Sequence, residues 1–249
     1  MILSWNVRGS GRPQKRRVIR ETIKQSRSTV LCLQETKQKR ITPRLQRSIC
    51  GTGYHGWFSK DAIGSSGGLL TCWNDEIYEG YLINSGDFSL AIKLVNKQNN
   101  FCWMLSNIYG PHNEHDRKLL FAELSGIRRS CLLPWVLLGD FNATRFHNDW
   151  KGAAISQAPS RLFNEFIDSQ QLMEIKSSNR RYTWSNLRED PSLAILDRCF
   201  IFLDWFKHFP LVFLLTMTRS TSDHSPLLLQ SKQSQRTTPA HKPFRFENF

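Results

Sequence analysis

Four short apolar runs in this 249-residue chain abut an acid or an amide. Ile2–Trp5 leads into Asn6, Val30–Leu33 into Gln34-Glu35, and Trp135–Leu138 into Gly139-Asp140 and Asn142, while Asp223-His224 precedes Pro226–Leu229. Runs this short, bounded by turn formers, read as buried strands rather than helices. Strand ends of one sheet can converge on a rim, where sites are commonly built.

The rest of the chain fits the same plan. Met1–Val7 is a strand closed by Arg8-Gly9-Ser10-Gly11, and Lys15–Arg27 is a helix with Val18, Ile19, Thr22 and Ile23 on one face. Leu69–Trp73 is a strand opened by Gly67-Gly68. Phe88–Val95 and Phe101–Tyr109 pair as a hairpin across the polar turn Asn96–Asn100. Lys118–Ile127 and Arg161–Gln170 are helical, and Tyr182–Trp184, Ile195–Leu203 and His224–Leu229 complete a strand-rich second half. Many strands with a few helices at intervals predict two sheets packed face to face with helices outside. From Ser231 the chain turns polar and basic, so residues 1–230 are expected to be one domain and 231–249 a linker or tail.

The net charge of +13 is unevenly placed: residues 1–50 carry 13 Lys/Arg against 2 acids, and residues 51–230 carry 17 against 18. Nucleic acid is the first partner to consider for such an excess. Arg8, Arg12, Lys15 and Arg16 are candidates to lie along a phosphate backbone, although the same residues could form a solvated helix face. No apolar run approaches the roughly 18 residues needed to span a bilayer, and no basic leader followed by an apolar stretch marks a signal peptide, so membrane association is not expected. Six scattered cysteines without a C-x-x-C pair argue against a zinc cluster or a dense disulfide framework. Cys32, Cys72 and Cys102, inside strand-like runs, are expected to be reduced core residues of an intracellular protein.

Asp140 and Asn142 are two apart, so in extended chain they point the same way: one is suited to act as carboxylate base, the other to donate to the same substrate oxygen. Glu35 is a hard oxygen ligand suited to Mg²⁺. His224 beside Asp223 supplies a group that can be cationic near neutral pH. A base, a metal ligand, an amide donor and a cationic imidazole together describe phosphodiester hydrolysis, where charge grows on phosphate oxygens. Trp184 and Trp135 are expected in the core, and His112 and His115 in an exposed turn.

Eight motifs in order carry a resemblance: Trp5-Asn6-Val7-Arg8-Gly9, Leu33-Gln34-Glu35-Thr36, Ser66-Gly67-Gly68, Asn107-Ile108-Tyr109-Gly110-Pro111, Gly139-Asp140-Phe141-Asn142, Tyr182-Thr183-Trp184-Ser185-Asn186, Leu196-Asp197-Arg198 and Ser222-Asp223-His224-Ser225-Pro226. Together they resemble the endonuclease/exonuclease/phosphatase superfamily, and more narrowly the apurinic/apyrimidinic-endonuclease-like domain of plant LINE-type non-LTR retrotransposons. The resemblance implies an α/β fold, a four-layer α-β-β-α sandwich of two packed, mainly antiparallel sheets (DNase I-like). It implies that Glu35 is the principal ligand of Mg²⁺ (or Mn²⁺), that Asp140 orients or deprotonates the attacking water and that Asn142 contacts the scissile phosphate. It further implies that Asn6 supports this network, Tyr109 donates to a phosphate oxygen, Asp197 orients His224, and Asp223 lies near a second metal position. Arg8 stands where some repair relatives carry an acid, which implies one Mg²⁺ ion. The tail resembles the segment leading toward a reverse transcriptase, which this chain does not include. A monomer acting in the nucleus is the matching expectation. The activity implied is a DNA endonuclease that leaves a 3′-hydroxyl. A phosphoesterase acting on RNA or a phosphoinositide, or a silent nucleic-acid-binding remnant, would use the same core.

Overall fold

The structure, a computed structural model, describes residues 1–64, 66–152 and 160–231. The chain runs β1 (Ile2–Asn6), α1 (Pro13–Ser26), β2 (Val30–Gln34), α2 (Pro43–Cys50), β3 (Gly56–Ile63), β4 (Ser66–Trp73), β5 (Tyr78–Ser85), β6 (Ser89–Asn96), β7 (Cys102–Tyr109), α3 (Glu114–Ser130) and β8 (Trp135–Asp140). It continues with β9 (Trp150–Lys151), α4 (Arg161–Ser169), β10 (Met173–Glu174), β11 (Trp184–Ser185), β12 (Leu193–Ala194), β13 (Asp197–Ile201), α5 (Leu203–His208), β14 (Val212–Thr216) and β15 (Leu227–Ser231).

Two six-stranded sheets form, ordered β14-β15-β1-β2-β4-β3 and β10-β13-β8-β7-β6-β5, with a small β11-β12-β9 sheet beside them. Pairing is antiparallel except for β1 with β2 and β7 with β8. Each parallel pair is joined by a crossover helix, α1 or α3, as parallel neighbours require.

The strand alternation explains the layering. In β1, Ile2 enters the core between the sheets while Leu3 and Trp5 face α1 and α2 together with Ile19, Ile23 and Ile49. In β8, Val136 and Leu138 enter the inter-sheet core, and Trp135 and Leu137 pack under α3 and α4 with Leu120, Leu124 and Phe163. Strands covered on both faces read as continuous apolar runs, which is why these were legible. The result is the expected four-layer sandwich: helices, sheet, sheet, helices.

Some boundaries differ from the sequence reading. The run Leu211–Met217 contains edge strand β14. The strand expected at Tyr182–Trp184 is the two-residue β11. Ser231, expected to open the linker, ends β15; residues 232–249 lie outside the described residues. Cys32 and Cys72 are buried as expected, but Cys102 is half-buried at the start of β7, where a sulfur can reach the turn carbonyl of Asn100. No helix among the described residues is long and apolar enough to cross a membrane.

Candidate active site

The inward-facing positions of the central strands turn polar toward one end of the sandwich. Ile2, Ser4 and Asn6 share a face, as do Val136, Leu138 and Asp140, and Ile201, Cys199 and Asp197. The same alternation that fills the core therefore aims Asn6, Asp140 and Asp197 at the rim. Beneath them a buried polar link joins the sheets: Gln34 Nε2 donates to Asn107 Oδ1 (2.7 Å) and to Ser4 Oγ (3.0 Å), and Asn107 Nδ2 donates to Thr71 Oγ1 (3.1 Å). Because buried polar groups are costly unless paired, this link fixes the register of one sheet over the other.

Asp140 sits at the end of β8 opposite Asp197 of β13. One carboxylate oxygen of Asp140 accepts from Asn6 Nδ2 (2.9 Å) and the other from the backbone N–H of Asn142 (2.9 Å). His224 lies across from it: Nδ1 meets Asp197 Oδ2 at 2.8 Å and Nε2 is 3.7 Å from Asp140 Oδ2. The loop carrying His224 is tied to β1, since Trp5 Nε1 donates to His224 O (3.0 Å) and Ser222 Oγ to Asn6 O (2.7 Å). Thr183 Oγ1 accepts from the N–H groups of both Leu196 and Asp197, which fixes Asp197 in turn.

Glu35 leaves β2 in the left-handed region, at φ 52°. Its loop is strapped on both sides: Gly9 N donates to Glu35 O (2.7 Å) and Ser10 N to Thr36 O (2.9 Å), while Thr36 N donates to Gly68 O (3.0 Å). Gly68 is required here, because a Cβ would stand 2.5 Å from Thr36 Oγ1 and its own φ is +85°. The nearly fully buried Glu35 carboxylate is held by Arg8 Nη1 (3.3 Å) and Lys37 Nζ (3.2 Å). Arg8 Nε also reaches Asp223 Oδ1 (3.1 Å), and Trp184 Nε1 donates to Asp223 Oδ2 (3.0 Å).

The charges of these groups are set by their surroundings. Burial pushes the Asp140 carboxyl up to about 6, against the pull of His224. Burial opposes the charged form of His224, but the carboxylates of Asp197 and Asp140 outweigh it and raise the imidazole to about 9. Between these values an ionised carboxylate faces a cationic ring. Burial, with Glu35 and Asp140 nearby, raises the Tyr109 phenol, so it remains a donor.

Asn6, Glu35, Tyr109, Asp140, Asn142, Asp197, Asp223 and His224 thus gather at one rim, as do Arg8 and Lys15, whose Nζ donates to Arg8 O (2.9 Å). Asn142, at φ 48°, spends its side-chain Nδ2 on Gly110 O (2.7 Å), so its backbone N–H rather than its amide serves Asp140. Arg12 is exposed at the start of α1. Arg16 is turned inward: its Nε donates to Ser48 Oγ (2.9 Å) and its Nη1 to the carbonyls of Ser10 and Gly11. Trp135 is buried as expected, but Trp184 is half-buried and belongs to the rim. A cleft of about 500 Å³ opens beside Glu35, bounded by Arg8, Lys37, Lys60, Tyr109 and the exposed His112. The sequence gives no role to Lys37, to Thr183 and Ser222, which stand only inside the motifs of the resemblance, or to buried Arg117, which donates to Asn142 O (2.9 Å).

Ligand atoms of Asp140, Asp197 and His224 lie within 4.8 Å of one another. The imidazole is better suited to proton work than to ligation, since Nδ1 is committed to Asp197 and the ring is held cationic. The donor set around Glu35 and Asp223 fits a hard divalent ion instead: these are carboxylates, and the buried Glu35 already draws two side-chain cations.

Comparison with known proteins identifies the family and the fold. The pattern of the Endonuclease/Exonuclease/phosphatase family matches residues 3–224. No curated protein matches the chain. Among solved structures, the endonuclease domain of TRAS1, a telomere-specific non-LTR retrotransposon, superposes with a TM-score of 0.69 at 12% identity, covering 93% of this chain and 97% of that one. AP endonuclease LMAP from Leishmania major superposes at 0.70 and 16% identity, covering 92% and 87%. The catalytic domain of Xenopus laevis APE2 gives 0.64 and 16%, covering 92% of each. At these identities the likeness establishes the fold.

Proposed function

The chain belongs to the endonuclease/exonuclease/phosphatase family, and from that premise we propose that it is a Mg²⁺-dependent DNA endonuclease of the plant LINE type that nicks one strand and leaves a 3′-hydroxyl. The observation that carries this reading is the facing pair Asp140 and His224, one ionised and one cationic over the same pH range. Mg²⁺ held by Glu35, with Asp223 nearby, would supply Lewis-acid charge to the phosphate.

The protein groups divide the remaining work. Asp140, held by Asn6 and the Asn142 N–H, takes a proton from the attacking water. Oxygen adds to phosphorus, the bond from phosphorus to the 3′ oxygen breaks, and that oxygen is protonated from solvent. His224 Nε2–H, its ring oriented by Asp197, donates to a phosphate oxygen as charge builds, and Tyr109 donates to another. The net charge of +13 and the likeness to a retrotransposon endonuclease domain favour DNA over other phosphate esters. In this reading Arg8, Lys15 and the exposed Arg12 meet the DNA backbone, and the chain acts as a monomer in the nucleus.

Supercoiled plasmid tests this directly. Nicking with Mg²⁺, none with EDTA, and loss in Asp140→Ala are the expected results. Equal nicking with and without EDTA, or full activity in Asp140→Ala, would refute it.

A further inference from the structure

The turn 145–149 and the segment 175–183 face each other across a cavity of about 980 Å³, larger than the cleft beside Glu35. Both walls are held in place. Asn179 Nδ2 donates to Thr216 O (3.0 Å), Thr216 N donates to Asn179 Oδ1 (2.8 Å) and Ser178 N donates to Leu214 O (3.0 Å), which docks the segment on β14. Arg181 Nη2 donates to Asn148 O (2.8 Å) and so ties the segment to the turn. The cavity is thus formed before any ligand arrives, as small-molecule sites usually are. Its floor is apolar, with Ile175, Leu214 and Leu227, and Phe146 on the turn is 45% exposed.

The charges on the walls are unequal. Three acids line the cavity, and each already has a cation: Glu174 meets Arg145 (2.6 Å) and Arg198, Asp149 meets Arg198, and Asp197 meets His224. Lys176, Arg180 and Arg181 line it too; they are exposed and make no ion pair among the described residues. Arg198 lines the same space, and its buried Nε–H has no acceptor among the described residues, which a ligand oxygen reaching it would supply. Unpaired cations beside an exposed aromatic ring and an apolar floor suit a phosphate that carries a flat, stacking base. We propose that this cavity is a nucleotide-binding site apart from the Glu35 cleft, taking a nucleoside phosphate with its base on Phe146 and its phosphate among Lys176, Arg180 and Arg181. It meets the catalytic rim at Asp197 and Thr183. The chemistry recognised is the same in a free nucleotide and in one residue of a single strand.

Calorimetric titration of the full chain with dAMP tests this, in EDTA so that no divalent ion joins a phosphate to Glu35. Wild type is expected to bind one dAMP. Deoxyadenosine, without the phosphate, and inorganic phosphate, without the base, should each bind at least about tenfold more weakly. Phe146→Ala should weaken dAMP about tenfold, and so should Arg180→Ala combined with Arg181→Ala. All three side chains are exposed, so these variants should fold as wild type does, which a urea melt checks. Arg8→Gln, at the catalytic rim, should bind dAMP like wild type. An oligodeoxyadenylate of about eight nucleotides that displaces dAMP points to a single strand as the source, and one that leaves dAMP bound points to a free nucleotide. No binding at millimolar dAMP, wild-type affinity in both cavity variants, or an equal loss in Arg8→Gln would overturn the proposal. The titration holds no divalent ion and reads no nicking, so loss of the endonuclease reading would leave its result standing.

Discussion

Asp197→Asn separates the charge of His224 from its position. Asparagine can still accept from Nδ1 through its oxygen, so the 2.8 Å contact that orients the ring is retained while the negative charge is removed. The imidazole is raised from 6.5 to about 9 although burial opposes this, so its carboxylate neighbours contribute a net gain of about 3 kcal/mol for the charged form. Without Asp197, burial and the remaining Asp140 act against each other, and the ring should return to its ordinary range or lower. At pH 8 a ring titrating at about 9 is about nine-tenths charged, whereas one titrating at 6.5 is about 3% charged. At pH 6 both are mostly charged. Asp197→Asn should therefore lose about twentyfold more nicking at pH 8 than at pH 6, measured in single-turnover assays on supercoiled plasmid with saturating Mg²⁺. The wild-type profile should be bell-shaped, with its acid limb near 6 and its basic limb near 9, values that belong to the coupled pair. An equal loss at both pH values would refute the assignment of a cationic His224.

The same linkage governs stability. Because His224 titrates higher in the folded chain than in the unfolded one, its contribution is fully present below about 6.5 and is lost as pH rises through about 9; urea melts at pH 6 and 9.5 should differ in wild type and much less in His224→Gln. Thr183→Val removes the oxygen that accepts from two N–H groups, of Leu196 and Asp197, and should cost about 1–3 kcal/mol in a urea melt while lowering the basic limb of the pH profile. Gly139→Ala places a Cβ 2.0 Å from the Ile108 carbonyl at a φ of +150° and should cost more than about 3 kcal/mol, read as loss of the cooperative thermal transition.

What the sequence made legible follows from burial. β1, β2 and β8 are covered on both faces, so their runs are almost wholly apolar, and the inward row turns polar toward the rim, at Ser4 and Asn6, at Gln34 and at Asp140. The edge strands β3 and β5 are half-exposed and mix charged with apolar residues, which hid them. Helix α2 was hidden too: it has only eight residues, two of them arginines, and is marked chiefly by the Thr42 cap that accepts from Leu45 N. Single residues were readable where chemistry limits the choice, as at Glu35, Asp140 and His224. Tyr109 and Asp197 came only from the resemblance. Lys37, Thr183 and Ser222 act through contacts that bridge chain segments or depend on a left-handed turn, and no spacing announces these. Arg16 shows the converse error, since a basic residue on a helix face was read as solvent-directed, yet its guanidinium holds α1 to Ser48 and to two loop carbonyls. A strand ending such as Tyr182–Trp184 likewise gives no sign that Trp184 will brace Asp223.

The most direct trial of the account is a plasmid nicked by the wild-type chain in ¹⁸O-labelled water with Mg²⁺, followed by mass analysis of the ends and polymerase extension from the nick. Water attack at phosphorus, driven by Asp140 and His224, predicts one ¹⁸O atom in the 5′-phosphate and a 3′ end that extends without further processing. An unlabelled 5′ end, a blocked 3′ end, or an intact plasmid would contradict it.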